Sequence, residues 1–327
     1  MPISTSYSPN APAARTGQGS AISNREDLSN ELTLLAPEET PLLSLCGKGS
    51  AKSTFSEWTA DKLAAPATAG ISEGTDVNSF SDKFADRARL GNYVQIFRRD
   101  FLVSNLQQAV NSVGPANIAQ AEAKSMRELK RDVEARICSS SDRTVEDGAG
   151  TPYALRGLGS WLSSTGPADV PAAYRTPAGS ILSSAPTETT FNDVIASIFS
   201  VNGEANSLTL VANVALRKVI SNFTRSSGAA ASEAVYNVQQ NADSKKVTHS
   251  VQLYDSDFGI VKMINGNPDC MTGASGYLVN PSYLQFNTLI PMGATRLENQ
   301  GGGERGFVDM TGTLVCKHPG AHGKITL

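Results

Sequence analysis

Histidine and cysteine, which often carry catalysis and metal binding, are scarce in this sequence of 327 residues, which has three histidines and four cysteines. The cysteines are Cys46, Cys138, Cys270 and Cys316, and no two of them have the short spacing of a zinc knuckle or a redox motif. Cys138 continues the apolar stripe of a predicted helix, and Cys316 lies in a predicted strand. We therefore expect both to be small buried hydrophobic residues in a reduced protein.

The sequence also lacks any long apolar run. Its first twenty residues are mostly Ser, Pro, Ala and Gly, a composition that excludes a signal peptide, and no later stretch is apolar enough for a membrane span. We expect the protein to be made in the cytosol, to stay soluble there and to have no membrane partner.

A concentrated basic surface is absent as well, because the net charge is −3. This argues against tight or sequence-specific nucleic-acid binding, although not against enclosing nucleic acid without gripping it. Charged residues are 18% and hydrophobic residues 40% of the chain, both on the low side for soluble proteins. Such a composition is more typical of loops, arms and flat sheets than of a dense globular enzyme.

Three glycine-containing patterns resemble fragments of enzyme motifs, but each lacks the rest of its motif. GLGSW at 157–161 has no final glycine and follows a loop, so it does not predict a dinucleotide site. GGGERG at 301–306 has no Gly-Lys-Ser/Thr ending and predicts a flexible turn. DFG at 257–259 stands without the other kinase motifs and predicts a turn between strands.

Histidine spacing gives no metal site either. His318 and His322 are four residues apart, but Pro-Gly-Ala lies between them, so no helix presents both to one metal ion. We therefore predict no catalytic residue, no metal and no cofactor. An enzyme that uses Asp255 and Asp257 is kept as a remote alternative.

The strongest local pattern lies in residues 89–138. It begins as a strand rich in aromatic and β-branched residues and ends as a long helix at about 116–138. Leu129, Val133 and Ile137 form a narrow apolar stripe on this helix, and charged side chains cover its other faces. The pattern predicts a helix that lies across a sheet, and we call it the spine helix.

Two further signals concern the detail of the spine helix. Gly114-Pro115 marks its predicted start, since proline is tolerated in the first turn. Asp132 and Arg136 have the spacing and order of a favourable surface ion pair.

An arm precedes this stretch. Ser23 and Glu26 form a capping-box pattern, and Leu28, Leu32 and Leu35 form the apolar face of the helix that follows. A second short helix comes next, and neither helix has a core of its own. We therefore expect the arm to dock on a neighbouring subunit.

Residues 54–95 run out and back as a predicted two-stranded ribbon of about twenty residues a side, on the order of 60 Å long at roughly 3.3 Å per residue. An isolated hairpin is barely stable in water, so the ribbon needs a partner surface. Trp58, Phe80 and Phe84 are its expected contact residues.

Residues 139–188, after the spine helix, are predicted to be mostly loop, and helices and strands alternate after them. Thr190 is the predicted N-cap of one helix and Asn213 that of the next, with a short buried strand between them. Residues 245–264 predict two strands around a turn at 255–259.

Four segments resemble a known family in local sequence. They are NREDLSNELTLLAPEETPLLSLCGKGSAKSTFSEWTADKLAAP (24–66), RLGNYVQIFRRDFLVS (89–104), ELKRDVEA (128–135) and HPGAHGKI (318–325). Together with the order of arm, long hairpin, spine helix, α/β middle and returning strands, they resemble the Hong Kong 97-type major capsid protein of tailed bacteriophages.

The resemblance implies an α+β fold in four parts. These are an N-terminal arm (1–55), an extended loop (56–95), a peripheral domain that holds the spine helix (96–150 and 265–327) and an α/β axial domain (151–264). It also implies hexamers and pentamers of one chain that close into an icosahedral shell around double-stranded DNA. Encapsulin compartments, which store protein cargo, share the fold and remain the main alternative.

The partners implied are further copies of the chain, a scaffolding protein, a portal and, as a further candidate, a decoration protein. Because no long helical scaffolding segment precedes Ser23, we expect scaffolding from a separate protein or from a trimmed precursor. The expected location is the virion capsid, assembled in the cytoplasm of the bacterial host.

In such a shell the charged faces of the spine helix become candidate contacts. We predict that Glu128, Arg131 and Arg136 include at least one ion pair between subunits. An isopeptide bond between an asparagine and Lys62 or Lys83 also stays open, although solvated lysines are the simpler interpretation.

Overall fold

The structure, a computed structural model, describes residues 39–110, 117–203, 207–224, 239–240, 247–248 and 252–327. The predicted arm helix with Leu28, Leu32 and Leu35 lies outside these ranges, as do Pro115 and His249.

The spine helix is the longest helix of the described ranges, with 20 residues. It begins at Ile118, where the Asn117 side chain accepts a hydrogen bond from Gln120 N at 3.0 Å, and the predicted long helix is confirmed. None of the described helices combines the length and hydropathy that a bilayer-spanning segment requires. The helices are α1 (Pro41–Leu45), α2 (Asn105–Ala109), α3, the spine helix (Ile118–Ile137), α4 (Leu158–Trp161), α5 (Glu188–Asn202) and α6 (Val214–Ser221).

The strands of the described ranges each pair with at least one neighbour. They are β1 (Gly47–Ser50), β2 (Phe55–Ala60), β3 (Ala88–Tyr93), β4 (Gln95–Val103), β5 (Ile181–Leu182), β6 (Thr209–Ala212), β7 (Gln239–Gln240), β8 (Val247–Thr248), β9 (Leu253–Ser256), β10 (Gly259–Asn265), β11 (Gly276–Val279), β12 (Leu284–Leu297), β13 (Glu304–Cys316) and β14 (Gly323–Ile325).

A four-stranded sheet of order β1-β12-β13-β4 supports the spine helix. Leu129, Val133 and Ile137 are fully buried and share one core with Phe97 of β4 and Val308 of β13. The predicted stripe is therefore confirmed. Each such side chain contributes about 1.5–3 kcal/mol when it leaves water, and this burial holds the helix across the sheet.

A six-stranded sheet of order β5-β14-β11-β6-β10-β9 forms the second layer with α5 and α6. Phe191 and Ile195 of α5 and Leu216 of α6 are fully buried in its core. β11 and β14 complete this sheet, although both come from residues 265–327, which the resemblance places in the peripheral domain. The domain boundaries stay a prediction.

Capping residues set the starts of α5 and α6. The helix α5 begins at Glu188, not after Thr190 as predicted, because Thr187 and Thr190 form a reciprocal capping box in which Thr190 is the third helical residue. Asn213 caps α6 as predicted, and its side chain accepts a hydrogen bond from Leu216 N at 2.9 Å.

The predicted ribbon is much shorter in its paired part than expected. Only β2 and β3 pair, in six-residue register from Phe55↔Tyr93 to Ala60↔Ala88. Residues 61–87 form no strand. These residues alternate weakly between apolar and polar types, so no sheet face is specified that would fix a register.

The four cysteines are buried and free. The predicted burial of Cys138 and Cys316 is confirmed.

An acidic side chain of the spine helix fixes α1. Glu134 is 1% exposed and accepts hydrogen bonds from Leu42 N (2.8 Å) and Leu43 N (2.7 Å), the first amides of a helix without a side-chain cap of its own. Burial raises the pKa of Glu134, while the two amide hydrogen bonds counter part of that rise. The spine helix thus holds α1 through this carboxylate and through the core that buries Leu42. This second arm helix therefore docks on its own subunit, whereas the sequence predicted docking on a neighbour.

We expect Glu134→Ala to lower the free energy of unfolding of the unassembled subunit by about 1–3 kcal/mol, because it leaves two amides without an acceptor. Urea denaturation measures this. Glu128→Ala is the matched control on the same helix, since Glu128 meets Lys124 at only 3.9 Å and should matter by about 0.5 kcal/mol or less. Equal effects of the two substitutions would contradict this role of Glu134.

Candidate assembly interface

The foot of the hairpin, formed by β2 and β3, is packed tightly into the subunit. Trp58 of β2 packs against the buried Trp161, with 5.6 Å between ring centroids. Phe55 and Tyr93 stack across the two strands at 4.6 Å. Trp58, predicted as a contact with a partner, therefore lies half-buried at the foot of its own hairpin.

A buried amide joins this foot to two other parts of the chain. Asn92 is fully buried, and its Nδ2 donates to the main-chain oxygen of Leu314 at 2.8 Å. Its Oδ1 accepts from Arg156 N, also at 2.8 Å. The last residues of β3 are thus fixed to β13 and to the loop that precedes α4.

Arg156 completes the attachment. Its guanidinium is 1% exposed and binds two carboxylates, those of Asp142 and of Asp169 (Nη2 to Oδ1, 2.6 Å). It also lies over the ring of Trp161, 4.6 Å from the centroid. Arg143 binds Asp169 at 3.2 Å and donates to the main-chain oxygen of Gly91 in β3.

The charges of this cluster act on Asp169. Burial alone would raise the pKa of the Asp169 carboxyl, but the hydrogen bond from Arg156 and the charges of Arg156 and Arg143 outweigh burial and lower it. Asp169 is therefore held in its ionised form, which is the form that can bridge both arginines.

Beyond its foot the hairpin is open to solvent. Residues 61–87 are all exposed, and the two ends of this segment of 27 residues stay near the foot, where Tyr174 donates a hydrogen bond to the main-chain oxygen of Asp86. Phe80 and Phe84, the predicted contacts, are exposed. Three further exposed apolar side chains were not predicted, because their scattered spacing forms no pattern. The exposed large apolar side chains are Leu63 (93%), Ile71 (85%), Val77 (69%), Phe80 (91%) and Phe84 (61%).

The three predicted spine contacts have different surroundings. Arg131 binds Asp269 at 2.7 Å within the subunit. Glu128 lines the same cleft and has its weak pair with Lys124. The ion pair between subunits stays a prediction, and Glu128 is the member most open to it.

Arg136 instead serves its own subunit. Its guanidinium donates to the main-chain oxygens of Leu155 (2.6 Å) and Asp142 (3.1 Å), and burial lowers its pKa. The predicted pair of Asp132 with Arg136 is wrong, because Asp132 binds Arg99 of β4 in a two-point contact at 2.6 and 2.7 Å. A two-point contact between an arginine and a carboxylate is stronger than an exposed ion pair between two residues of one helix.

The two aspartates and the two histidines considered for chemistry lie in different parts of the chain, at the turn from β9 to β10 and between β13 and β14. Asp255 lies in β9 and Asp257 in the turn to β10, which confirms the predicted turn. His322 is fully buried, and His318 meets the ring of Tyr283 edge to face, with 5.8 Å between ring centroids. Within the described ranges no group of three or more His, Cys, Asp or Glu residues has the geometry of a metal site.

The family model of the SU10 major capsid protein matches residues 14–327. The chain belongs to this family. It is a major capsid protein of a tailed phage and a component of the virion capsid. The sequence matches no curated protein significantly.

Solved capsid structures share the fold of this capsid protein. The capsid of the cyanophage P-SCSP1u is 11% identical with a TM-score of 0.59, covering 98% of this chain and 99% of that chain. The structure from Gordonia phage Cozz is 14% identical in sequence, with a TM-score of 0.58, and the match covers 100% of this chain and 96% of that chain. The capsid of a native GTA particle is 11% identical in sequence, with a TM-score of 0.59, and the match covers 96% of this chain and 99% of that chain. The predicted Hong Kong 97-type α+β fold is confirmed.

Proposed function

We propose that copies of this chain form hexamers and pentamers that close an icosahedral shell around the double-stranded DNA of a tailed phage. The hairpin carries the proposal: 27 consecutive exposed residues, with five large apolar side chains, leave the subunit from a foot fixed by Asn92 and Arg156. Exposed apolar side chains of this number mark a protein contact. An isolated segment of this kind gains stability when a second subunit covers it.

The other parts of the chain have supporting roles in this proposal. Of the predicted arm (1–55), α1 and β1 pack in their own subunit, so the part before α1 is the part that acts on a neighbouring subunit. Residues 96–150 and 265–327 form the peripheral domain, and 151–264 form the axial domain. The chain acts as a building block and not as an enzyme. Its net charge of −3 suits a wall that encloses DNA without gripping it. Scaffolding protein, portal and any decoration protein are separate partners, and assembly takes place in the host cytoplasm.

Expression followed by negative-stain microscopy and extraction of the particle contents tests this function. Closed particles, and double-stranded DNA inside those made in an infected cell, are expected. Particles that hold a cargo enzyme and no DNA would instead indicate an encapsulin-like compartment. A product that stays monomeric, even with scaffold and portal present, would contradict a shell function.

The double substitution Phe80→Asp with Phe84→Asp is expected to reduce particle yield at least tenfold, because it removes two exposed rings and adds charge where a neighbour docks. Sedimentation of expressed material measures the yield. Asn78→Asp with Ser81→Asp is the matched control, since it adds the same charge to the same segment and keeps both rings. If both pairs act alike, charge and not the rings determines assembly.

A further inference from the structure

A polar pocket of about 440 Å³ lies where separate segments of one subunit meet. These segments are the loop after the spine helix, α4 with the loop that follows it, β5 and β14. Small-molecule sites have volumes of about 300–1,000 Å³, so the pocket has room for a small ligand. Hydroxyl side chains form much of its lining, and they belong to Ser140, Ser160, Ser163, Ser164, Ser183 and Thr326.

Lys324 of β14 brings a positive charge into this pocket, where its side chain is partly buried. Its Nζ donates to Ser140 Oγ and to the main-chain oxygen of Gly159, both at 3.1 Å. An ammonium group has three N–H donors, so one of them remains for a ligand.

The charge of Lys324 has no counter-charge in its own subunit. Asp142 is the one carboxylate among the lining residues, and it binds Arg156. Within the described ranges no carboxylate forms an ion pair with Lys324. Burial lowers the pKa of Lys324, as expected for an ammonium group that leaves water without an acidic partner. The pocket therefore favours an anionic ligand.

Hydroxyl groups beside Lys324 supply further donors. Ser160 lies in α4, Ser183 follows β5, and Thr326 follows β14. In the part of the chain that the structure describes, these three side chains form no hydrogen bond. A hydroxyl can donate to an oxyanion, and lysine binds phosphate as a point charge. Donors on three different elements suit the tetrahedral oxygens of phosphate better than the planar pair of a carboxylate.

We propose that this pocket binds a phosphate group, with Lys324 as its counter-charge and the three hydroxyls as further donors. Hydrogen bonds to a charged group are about twice as strong as neutral ones, so Lys324 supplies the largest part of the binding. All lining residues belong to one subunit, so the inference goes beyond the shell function and does not depend on it. A bound phosphate joins β14 and β5 to α4 and stabilises the folded subunit by mass action.

Chemical labelling of the unchanged chain tests the site without a substitution. Cyanate carbamylates amines in their unprotonated form, and mass spectrometry gives the labelling rate of each lysine. Compared with chloride at equal ionic strength, inorganic phosphate should slow the labelling of Lys324 about threefold or more, because it covers the amine and favours its protonated form. Lys262, an exposed lysine of β10, is the internal control, and its rate should not change.

A second arm of this experiment separates two sources of the phosphate group. A short DNA duplex replaces inorganic phosphate. Slower labelling of Lys324 with inorganic phosphate indicates free phosphate or a small phosphorylated molecule, whereas an effect of the duplex alone indicates the phosphodiester of a DNA backbone. Either result supports a phosphate site. If neither probe slows the labelling of Lys324, or if Lys262 is slowed equally, the proposal is overturned.

Calorimetric titration of variants gives an independent measurement, with inorganic phosphate as the probe, or with the duplex if only the duplex protects Lys324. Lys324→Met should weaken binding about tenfold or more. Ser183→Ala with Thr326→Val keeps both hydrogen bonds of Lys324 and should weaken binding about threefold or more, which decides the matter if Lys324→Met does not fold. Lys262→Met is the matched control and should leave the affinity unchanged. An affinity for the hydroxyl variant equal to that of the control overturns the proposal.

Discussion

Arg156→Met is expected to lower the free energy of unfolding of the unassembled subunit by about 3 kcal/mol. The guanidinium is 1% exposed and stands between the carboxylates of Asp142 and Asp169, with the Trp161 ring on its face. Methionine fills similar space but leaves both carboxylates without this donor. Because the two carboxylates are partly open to water, the loss stays below that of a fully buried triad.

Two comparisons isolate the geometry of Arg156. Arg156→Lys keeps the charge but loses the planar fork and the stacking on Trp161, so an intermediate loss is expected. Arg89→Met removes an exposed arginine of the same hairpin that meets Glu57 at 3.8 Å, and such a pair contributes about 1 kcal/mol or less. Urea denaturation of the three variants measures their losses in free energy of unfolding and so gives the order of these losses. A loss for Arg156→Met no larger than that for Arg89→Met would contradict the conclusion that the Arg156 side chain stabilises the foot of the hairpin.

The substitution Arg156→Met is also expected to weaken assembly. Asp169 links the Arg156 side chain to Arg143, which donates to the main-chain oxygen of Gly91 in β3. Loss of Arg156 therefore loosens the foot from which residues 61–87 leave the subunit. A loose foot raises the entropic cost of docking the hairpin on a neighbour.

The sequence predicted those elements whose side chains repeat with a clear period. The stripe of Leu129, Val133 and Ile137 specifies the spine helix and the face that it buries. The aromatic residues of β3 and β4 specify the strands below it. The length of the paired ribbon was wrong, because residues 61–87 have no alternation that could fix strand pairing.

Arg156 and Glu134 were missed for a different reason. Arg156 lies in a loop, and its carboxylate partners Asp142 and Asp169 are 14 and 13 residues away in the sequence. No local sequence pattern therefore predicts that the three residues meet. Glu134 looked like part of a solvated helix face. It lies three residues before Ile137 and four before Cys138, both buried, and this flanking position is a signal that would have placed it near the core. Its partners are two main-chain amides of α1, and the side chains of those residues do not indicate that their amides bind a carboxylate.

A buried histidine is expected to make the subunit sensitive to acid. Burial, with a smaller contribution from the charge of His318, lowers the pKa of His322 to about 3. Its Nδ1 accepts a hydrogen bond from Asn280 N at 3.1 Å, which requires that nitrogen to be unprotonated. The ring is fully buried, so a second proton would place an unsolvated charge in the core.

The direction of the effect follows from proton binding. An unfolded histidine has a pKa of about 6.5, so between about pH 6.5 and pH 3 the unfolded chain binds a proton that the folded chain does not. The stability that neutral His322 contributes is therefore complete above about pH 6.5 and is lost as the pH falls. The slope approaches about 1.4 kcal/mol per pH unit, which gives about 2 kcal/mol between pH 6.5 and pH 5.

His322→Gln isolates this contribution, because the glutamine oxygen can still accept from Asn280 N while the side chain no longer titrates. Urea denaturation at several values between pH 7.5 and pH 5 should show a much flatter profile for this variant. His318→Gln is the control. Burial also lowers the pKa of His318, but its ring is only partly buried and meets Tyr283 edge to face, so this substitution should remove a smaller part of the pH dependence. An unchanged profile in His322→Gln would mean that other groups cause the acid sensitivity. A flatter profile would identify His322, in the turn from β13 to β14, as the group that makes the free energy of unfolding depend on pH.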